Sequence, residues 1–216
     1  MITPKERISA LWRAVRPGSP AHKHGRQEGF ARLRNLLLES GIQAPVIVET
    51  GTLRNELVTF ADGDGWSTVF FRKLVDELGG ELYSVDIDPA AIAASRKVIT
   101  REFGDLANTF HHAGDSVGFL RDFPKSIDVL YLDSMNYTGD DSSARHQLAE
   151  IQACVDKVAP HGLIMVDDIS ETIEHGKAAL SIPFLKNRGW TDLELIPVAA
   201  RRQKRWYQAI IRRPRG

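Results

Sequence analysis

The chain has 216 residues, 43% of them apolar and 26% charged, which suffices for one domain with a full hydrophobic core. Its 28 Lys and Arg balance its 28 Asp and Glu, so no overall field selects a nucleic acid or an anionic membrane as partner. A single cysteine, Cys154, excludes an internal disulfide framework and an all-cysteine metal cluster. The N-terminus scatters charge and lacks an apolar signal segment, and no run approaches the ~18 apolar residues of a membrane span. A cytoplasmic protein without membrane contact is expected.

The pattern over residues 3–15 predicts a short helix, followed by a break at Pro17-Gly18-Ser19-Pro20. A second helix is predicted over 26–40, with Phe30, Leu33 and Leu37 on one face and Gly41 as its stop. Together they form a helical lead-in over residues 1–44, ahead of a main domain over 45–216. The rhythm then changes. Pro45 to Val48 is a short apolar run of the kind buried on both faces of a sheet. Helical periodicity follows over 66–78, a strand over 81–85, and a helix over 89–102 opening on Pro89. Strands are predicted at 109–113 and 127–132, an amphipathic helix at 142–158, and a strand at 162–166. Residues 175–188 read as a helix that must bend or break near Pro183. The runs 193–198 and 206–211 are strands, joined by a hairpin loop over 201–205. Alternating strands and helices imply a doubly wound, mostly parallel α/β sheet. The short final connection cannot make a parallel crossover, so the last strand is expected to enter antiparallel.

In such a sheet, ligands bind outside the carboxyl ends of the strands. The first strand ends Val48-Glu49-Thr50-Gly51-Thr52, an acidic residue and then a glycine that lets the backbone approach a ligand. Residues Leu53 to Asp62 then intervene before Gly65 and Ser67-Thr68 resume at the next helix. The second strand ends Asp86-Ile87-Asp88-Pro89, where Asp86 can accept from two ribose hydroxyls and Asp88 suits a helix N-cap. The third ends Gly114-Asp115-Ser116, the fourth Tyr131-Leu132-Asp133-Ser134, and the fifth Val166-Asp167-Asp168.

These five strand ends, spanning residues 46–168, resemble those of class I S-adenosylmethionine-dependent methyltransferases. The stretch 127–168 is similar to small-molecule O-methyltransferases of the catechol, sugar and natural-product types, with Pro160-His161-Gly162 where Pro-Gly-Gly is common. The resemblance implies a Rossmann-like seven-stranded sheet and a cofactor, S-adenosylmethionine, held by Glu49, Gly51, Thr52, Asp86, Asp115, Ser116 and Asp133. Glu49 would order its loop or pair with the cofactor's ammonium, and Asp115 would face the adenine while also capping a helix. It further implies a small-molecule hydroxyl acceptor and a catalytic set of Asp133, Asp167 and Asp168, which are also the candidate ligands of Mg²⁺. The acidic pair departs from the Asp-Asn frequent in catechol-type sites. His146 and His175 are alternative bases, and Asn136 and Tyr137 candidate acceptor-pocket residues. A homodimer through the N-terminal helices is a further expectation.

Other classes fit less well. Asp62-Gly63-Asp64-Gly65 begins like a calcium loop, but Ser67 and Lys73 stand where glycine and glutamate are required. There is no P-loop, and no Gly-x-Gly-x-x-Gly follows the first strand, which counts against a nicotinamide oxidoreductase. The C-terminal Arg201, Arg202, Lys204, Arg205, Arg212, Arg213 and Arg215, with Trp206 and Tyr207, leave an RNA or protein methyltransferase as the alternative. A non-catalytic module of the same fold is the remaining one.

Overall fold

The computed structural model describes residues 26–56, 67–170, 173–201 and 204–214. The expected helix over 3–15 and most of the Leu53–Asp62 insertion lie outside them. Among the described residues, one helix, α1 (Arg26–Ser40), precedes β1 (Val46–Thr50). Then follow α2 (Ser67–Leu78), β2 (Glu81–Asp86), α3 (Pro89–Phe103), β3 (Thr109–Ala113), α4 (Ser116–Asp122) and β4 (Ile127–Leu132). The chain ends with α5 (Ser142–Cys154), β5 (Val158–Ser170), α6 (Ser181–Lys186), β6 (Asp192–Arg201) and β7 (Lys204–Arg212).

These strands form one seven-stranded sheet in the order β3-β2-β1-β4-β5-β7-β6. The first five are mutually parallel. β7 inserts antiparallel between β5 and β6, as the short final connection requires.

Strand alternation builds two cores. Ile47, Leu82, Val129, Tyr131, Leu163 and Met165 face α1 and α2, where they meet Phe30, Leu33, Leu37, Phe71 and Leu74. Val48, Leu130, Leu132, Ile164 and Val166 face the other way, against Leu120, Ile151, Ile182, Leu185 and Trp190. Helix α1 therefore belongs to the sheet's own core. Its approach is close: a Cβ on Gly29 would lie 2.1 Å from Gln208 Oε1. Phe30 stacks on Phe70 at 4.8 Å and tilts against Tyr131 at 5.7 Å.

Three elements differ from the sequence pattern. The amphipathic stripe over 142–158 is two elements, because α5 ends at Cys154, a 3₁₀ turn covers Val155–Lys157, and Val158 already pairs with Ile127. Val155 and Val158 are buried in the same core as Ile151, so they mimic a continued helix without being one. Residues 177–180 are turn, and α6 begins only at Ser181. Pro183 falls in its first turn, where no intrahelical N–H is needed. Finally, β5 runs on past Val166 to Ser170 because β7 supplies a partner there, with a one-residue bulge between Val166 and Ile169.

Candidate active site

Strands β1 and β4 are neighbours, but the chain leads from β1 outward to β2 and β3 and from β4 outward to β5. The crevice between such strands is where an open α/β sheet takes its ligand. Here the two strand ends touch. Gly51 has φ +82°, and a Cβ on it would lie 2.3 Å from the Asp133 carbonyl oxygen. Only glycine satisfies both that backbone region and that approach. Asp133 N donates to Thr50 O at 2.9 Å, which fixes the β4 end beside the β1 turn.

Beneath this turn lies a buried hydroxyl network. Glu49, fully buried, accepts from Thr68 Oγ1 at 2.8 Å and Ser84 Oγ at 2.7 Å. Thr52 Oγ1 lies 2.8 Å from both Ser84 Oγ and Ser95 Oγ, within hydrogen-bond distance of each. Ser95 contacts His111 Nε2 at 3.0 Å. Leu53 N donates to Thr68 Oγ1, so the start of α2 returns to β1 across the insertion, as Ser67-Thr68 were expected to do. Burial pushes Glu49 up to about 7, against the hydroxyl groups of Ser67, Ser84 and Thr68, which favour its charged form. Glu49 thus acts on the loop through hydroxyl groups, and Thr52 acts through Asp86.

Asp86 Oδ2 accepts from Thr52 N at 3.1 Å and its Oδ1 from Asp88 N at 2.9 Å. A carboxylate has about four acceptor directions, so two remain for ribose hydroxyls. Next to it Ile87 is 76% exposed, an apolar surface at a strand end that suits the face of a base. Asp88 caps α3 through Ala90 N and Asp115 caps α4 through Gly118 N, both as expected. Ser116 Oγ contacts His146 Nε2 at 3.3 Å, and the same nitrogen lies 3.4 Å from Glu150 Oε1. Glu150 raises the His146 pKa, through hydrogen bonding first. His146 therefore borders the Ser116 end of the crevice, where it meets Ser116 and Glu150.

Those aspartates do converge, and they meet two cations. Lys177 Nζ lies 2.5 Å from Asp133 Oδ1 and 3.0 Å from Asp168 Oδ2. Arg26 Nε lies 2.5 Å from Asp167 Oδ2, and its Nη2 3.1 Å from Asp168 Oδ1. Tyr131 OH donates to Asp167 Oδ2 at 2.8 Å. Burial raises the Tyr131 pKa well above its ordinary value, so the phenol stays protonated as the donor. Side-chain exposure orders the roles: Asp167 1%, Lys177 3%, Asp133 24%, Asp168 29%. Burial works against the charged Lys177, but the Asp133 and Asp168 carboxylates outweigh it and hold the ammonium above its ordinary range. For Asp133, burial is opposed by Lys177 and reinforced by Asp167 and Asp168, which pushes it up to about 7. A carboxyl near neutrality at a crevice wall is suited to general base work.

The backbone explains this convergence. Asp168 takes φ +56°, a left-handed conformation uncommon for a non-glycine residue, at the β5 bulge. An Ile169–Gly176 bridge and the Ser170 Oγ to His175 O bond fold the next segment back over the strand end. That fold-back delivers Lys177. His175 itself is exposed. Arg26 continues the buried Phe30, Leu33, Leu37 stripe of α1 one turn further toward the site.

The carboxylates therefore do not fit a Mg²⁺ cage. An ammonium bridges Asp133 and Asp168, and Asp167 is spent on Arg26 and Tyr131. Among the described residues, no group of three acidic, histidine or cysteine side chains is placed to hold a metal ion. The expectation of Mg²⁺ finds no support among the described residues.

Beside the cluster, Tyr137 and Trp206 meet edge-to-face with centroids 5.9 Å apart. Trp206 pairs with Ser170 across β5 and β7, so this aromatic wall stands over the β5 end. Asn136 Oδ1 accepts from Arg54 at 3.4 Å. Part of the basic tail is engaged within the fold: Arg212 pairs with Asp192 at 2.5 Å, and Arg213 lies 4.5 Å over the Trp190 ring.

Residues 63–169 match the family model described as a methyltransferase domain. This segment is a class I S-adenosylmethionine-dependent methyltransferase domain. This methyltransferase is similar in fold to a putative rRNA methylase from Clostridium thermocellum, with TM-score 0.64 and 13% identity over 88% of this chain and 98% of the other. It is similar also to an O-methyltransferase from Bacillus cereus solved with S-adenosylhomocysteine, with TM-score 0.59 and 15% identity over 97% and 90% of the two chains. The N-methyltransferase NodS from Bradyrhizobium japonicum WM9 aligns with TM-score 0.59 and 17% identity over 88% and 97%. No curated protein matches the sequence significantly. No helix among the described residues is long and apolar enough to cross a membrane.

The crevice of this methyltransferase fits the methyl donor at three points: the close Gly51–Asp133 turn, the unused acceptor directions of Asp86, and the bare face of Ile87. Sequence patterns did not single out Ile87, Arg26 or Lys177 as site residues, and noted Trp206 only within the basic C-terminal patch. Ile87 carried a signal, an apolar residue between two aspartates at a strand end. Arg26 and Lys177 carried none, because their segments reach the site only through helix packing and the fold-back.

Proposed function

We propose that this methyltransferase transfers the methyl group of S-adenosylmethionine to a hydroxyl of a small molecule held over the ends of β4 and β5. The observation that carries this reading is Asp133, whose backbone oxygen abuts Gly51 and whose carboxylate belongs to the charged cluster on the acceptor side. An in-line displacement needs donor and acceptor side by side, and much of its catalysis is positioning. The acceptor oxygen forms a bond to the methyl carbon as the carbon–sulfur bond breaks, which leaves neutral S-adenosylhomocysteine. The hydroxyl proton passes to the Asp133 carboxylate, whose Oδ1 alone is taken by Lys177. Tyr137 and Trp206 offer an aromatic wall for the rest of the acceptor. The engagement of Arg212 and Arg213 within the fold supports a small acceptor over RNA.

Calorimetric titration with S-adenosylhomocysteine tests the donor site, and Asp86→Ala should weaken binding by about tenfold or more through loss of the ribose acceptors. Transfer of isotopic methyl to a panel of hydroxylated small molecules tests the acceptor. Folded protein that binds no S-adenosylhomocysteine would overturn the proposal.

A further inference from the structure

We infer that the Lys177 ammonium holds the position a divalent cation would take between Asp133 and Asp168, so that this site excludes metal and works through a fixed organic cation. The inference rests on the reading of Asp133 and Asp168 as the acceptor side of the crevice. It is carried by geometry. Lys177 Nζ bridges one oxygen of each carboxylate, at 2.5 and 3.0 Å. A Mg²⁺ ion needs near-octahedral oxygens at about 2.0–2.1 Å and keeps several waters. At 3% exposure the ammonium leaves no room for that shell. Arg26 occupies the other oxygen of Asp168 and one of Asp167. An entering cation would have to expel a buried positive charge from between the carboxylates it needs.

The bridge also determines how the site handles the acceptor. A metal would polarise the hydroxyl by direct coordination. The buried ammonium instead acts on the two carboxylates and holds them together at the ends of β4 and β5. Lys177 is in this sense a positioning residue.

The test is a titration of the full chain with MnCl₂ by calorimetry, comparing wild type, Asp168→Asn, Lys177→Met, Lys177→Arg and Lys177→Met combined with Asp168→Asn. Wild type is expected to show no saturable Mn²⁺ site that depends on Asp168. Lys177→Met removes the charge at similar length and should acquire one, at least about tenfold tighter than any wild-type binding. That gain should vanish in the double variant and be absent from Lys177→Arg. A purely structural lysine would produce no such gain. The inference is overturned if wild type binds Mn²⁺ below millimolar concentration and loses it in Asp168→Asn. It is equally overturned if folded Lys177→Met, checked by circular dichroism, binds Mn²⁺ no tighter than wild type. Should Lys177→Met fail to fold, the wild-type and Asp168→Asn titrations decide alone. S-adenosylhomocysteine is titrated into the same samples with Mg²⁺ and with EDTA. Failure to bind it would count against the methyl-transfer proposal, while the Mn²⁺ comparison would still read the ammonium's position.

Discussion

Glu49 ties the pH dependence of stability to the architecture of the donor loop. Its carboxyl is fully buried among hydroxyl groups, and burial lifts its pKa from 4.5 to about 7. The folded state therefore holds this proton more tightly than the unfolded chain. The resulting stability is fully present below pH 4.5 and declines as pH rises through about 7. A shift of this size corresponds to about 3 kcal/mol in total, of which roughly 2 to 2.5 kcal/mol falls between pH 5 and pH 8. Glu49→Gln keeps the shape and an acceptor oxygen for Thr68 and Ser84 but cannot ionise. Whatever constant cost its amide carries cancels when the variant is compared with wild type at two pH values. Urea unfolding at pH 5 and pH 8 should show the gap between the proteins moving by about 2 kcal/mol in favour of the variant. Parallel pH profiles would refute the reasoning, because they would mean that Glu49 ionises as freely in the fold as in water.

Three further outcomes follow from the same geometry. Gly51→Ala should abolish S-adenosylhomocysteine binding in calorimetry and lower the melting temperature, since its Cβ meets the Asp133 carbonyl and the left-handed backbone adds about 1–2 kcal/mol of strain. Asp167→Ala leaves the Arg26 guanidinium and the Tyr131 hydroxyl without their buried partner, and should cost about 3 kcal/mol in urea unfolding; a loss under about 1 kcal/mol would show that the pair is not sequestered from water. Tyr137→Ala should raise KM for the acceptor severalfold with kcat nearly unchanged in initial-rate measurements, and leave S-adenosylhomocysteine affinity unaltered.

The sheet was legible because its central parallel strands β1, β4 and β5 are buried on both faces over most of their length and so contain short apolar runs. The antiparallel ending was legible because a short connection leaves no other choice. Helix limits were less so at α5, where Val155 and Val158 extend the apolar stripe while the backbone has already become turn and then strand. The places of Gly51, Asp86 and Asp115 were legible as well, because they sit at strand ends, and a strand end is a position that sequence reveals directly; Asp88 was legible as a helix cap. What sequence could not show is how far Glu49 withdraws from the crevice. Its partners Thr68 and Ser84 are distant in the chain and recognisable only once β1, β2 and α2 are packed together.

The surroundings of the Asp167-Asp168 pair were hidden for a different reason. Strict alternation sends adjacent residues to opposite faces of a sheet, so two neighbouring aspartates should not share one ligand. Asp167 obeys, lying with Tyr131 and Arg26 on the α1 face. Asp168 sits at the bulge with φ +56°, and its two oxygens are reached by Arg26 from the α1 side and by Lys177 from the α6 side. The sheet ends between the two cations, and Asp168 closes that end. No residue pattern announces a left-handed aspartate, and none announces that position 177 folds back eight residues after position 169. An acidic pair read from sequence alone therefore suggests a metal, where the folded chain supplies its own cation.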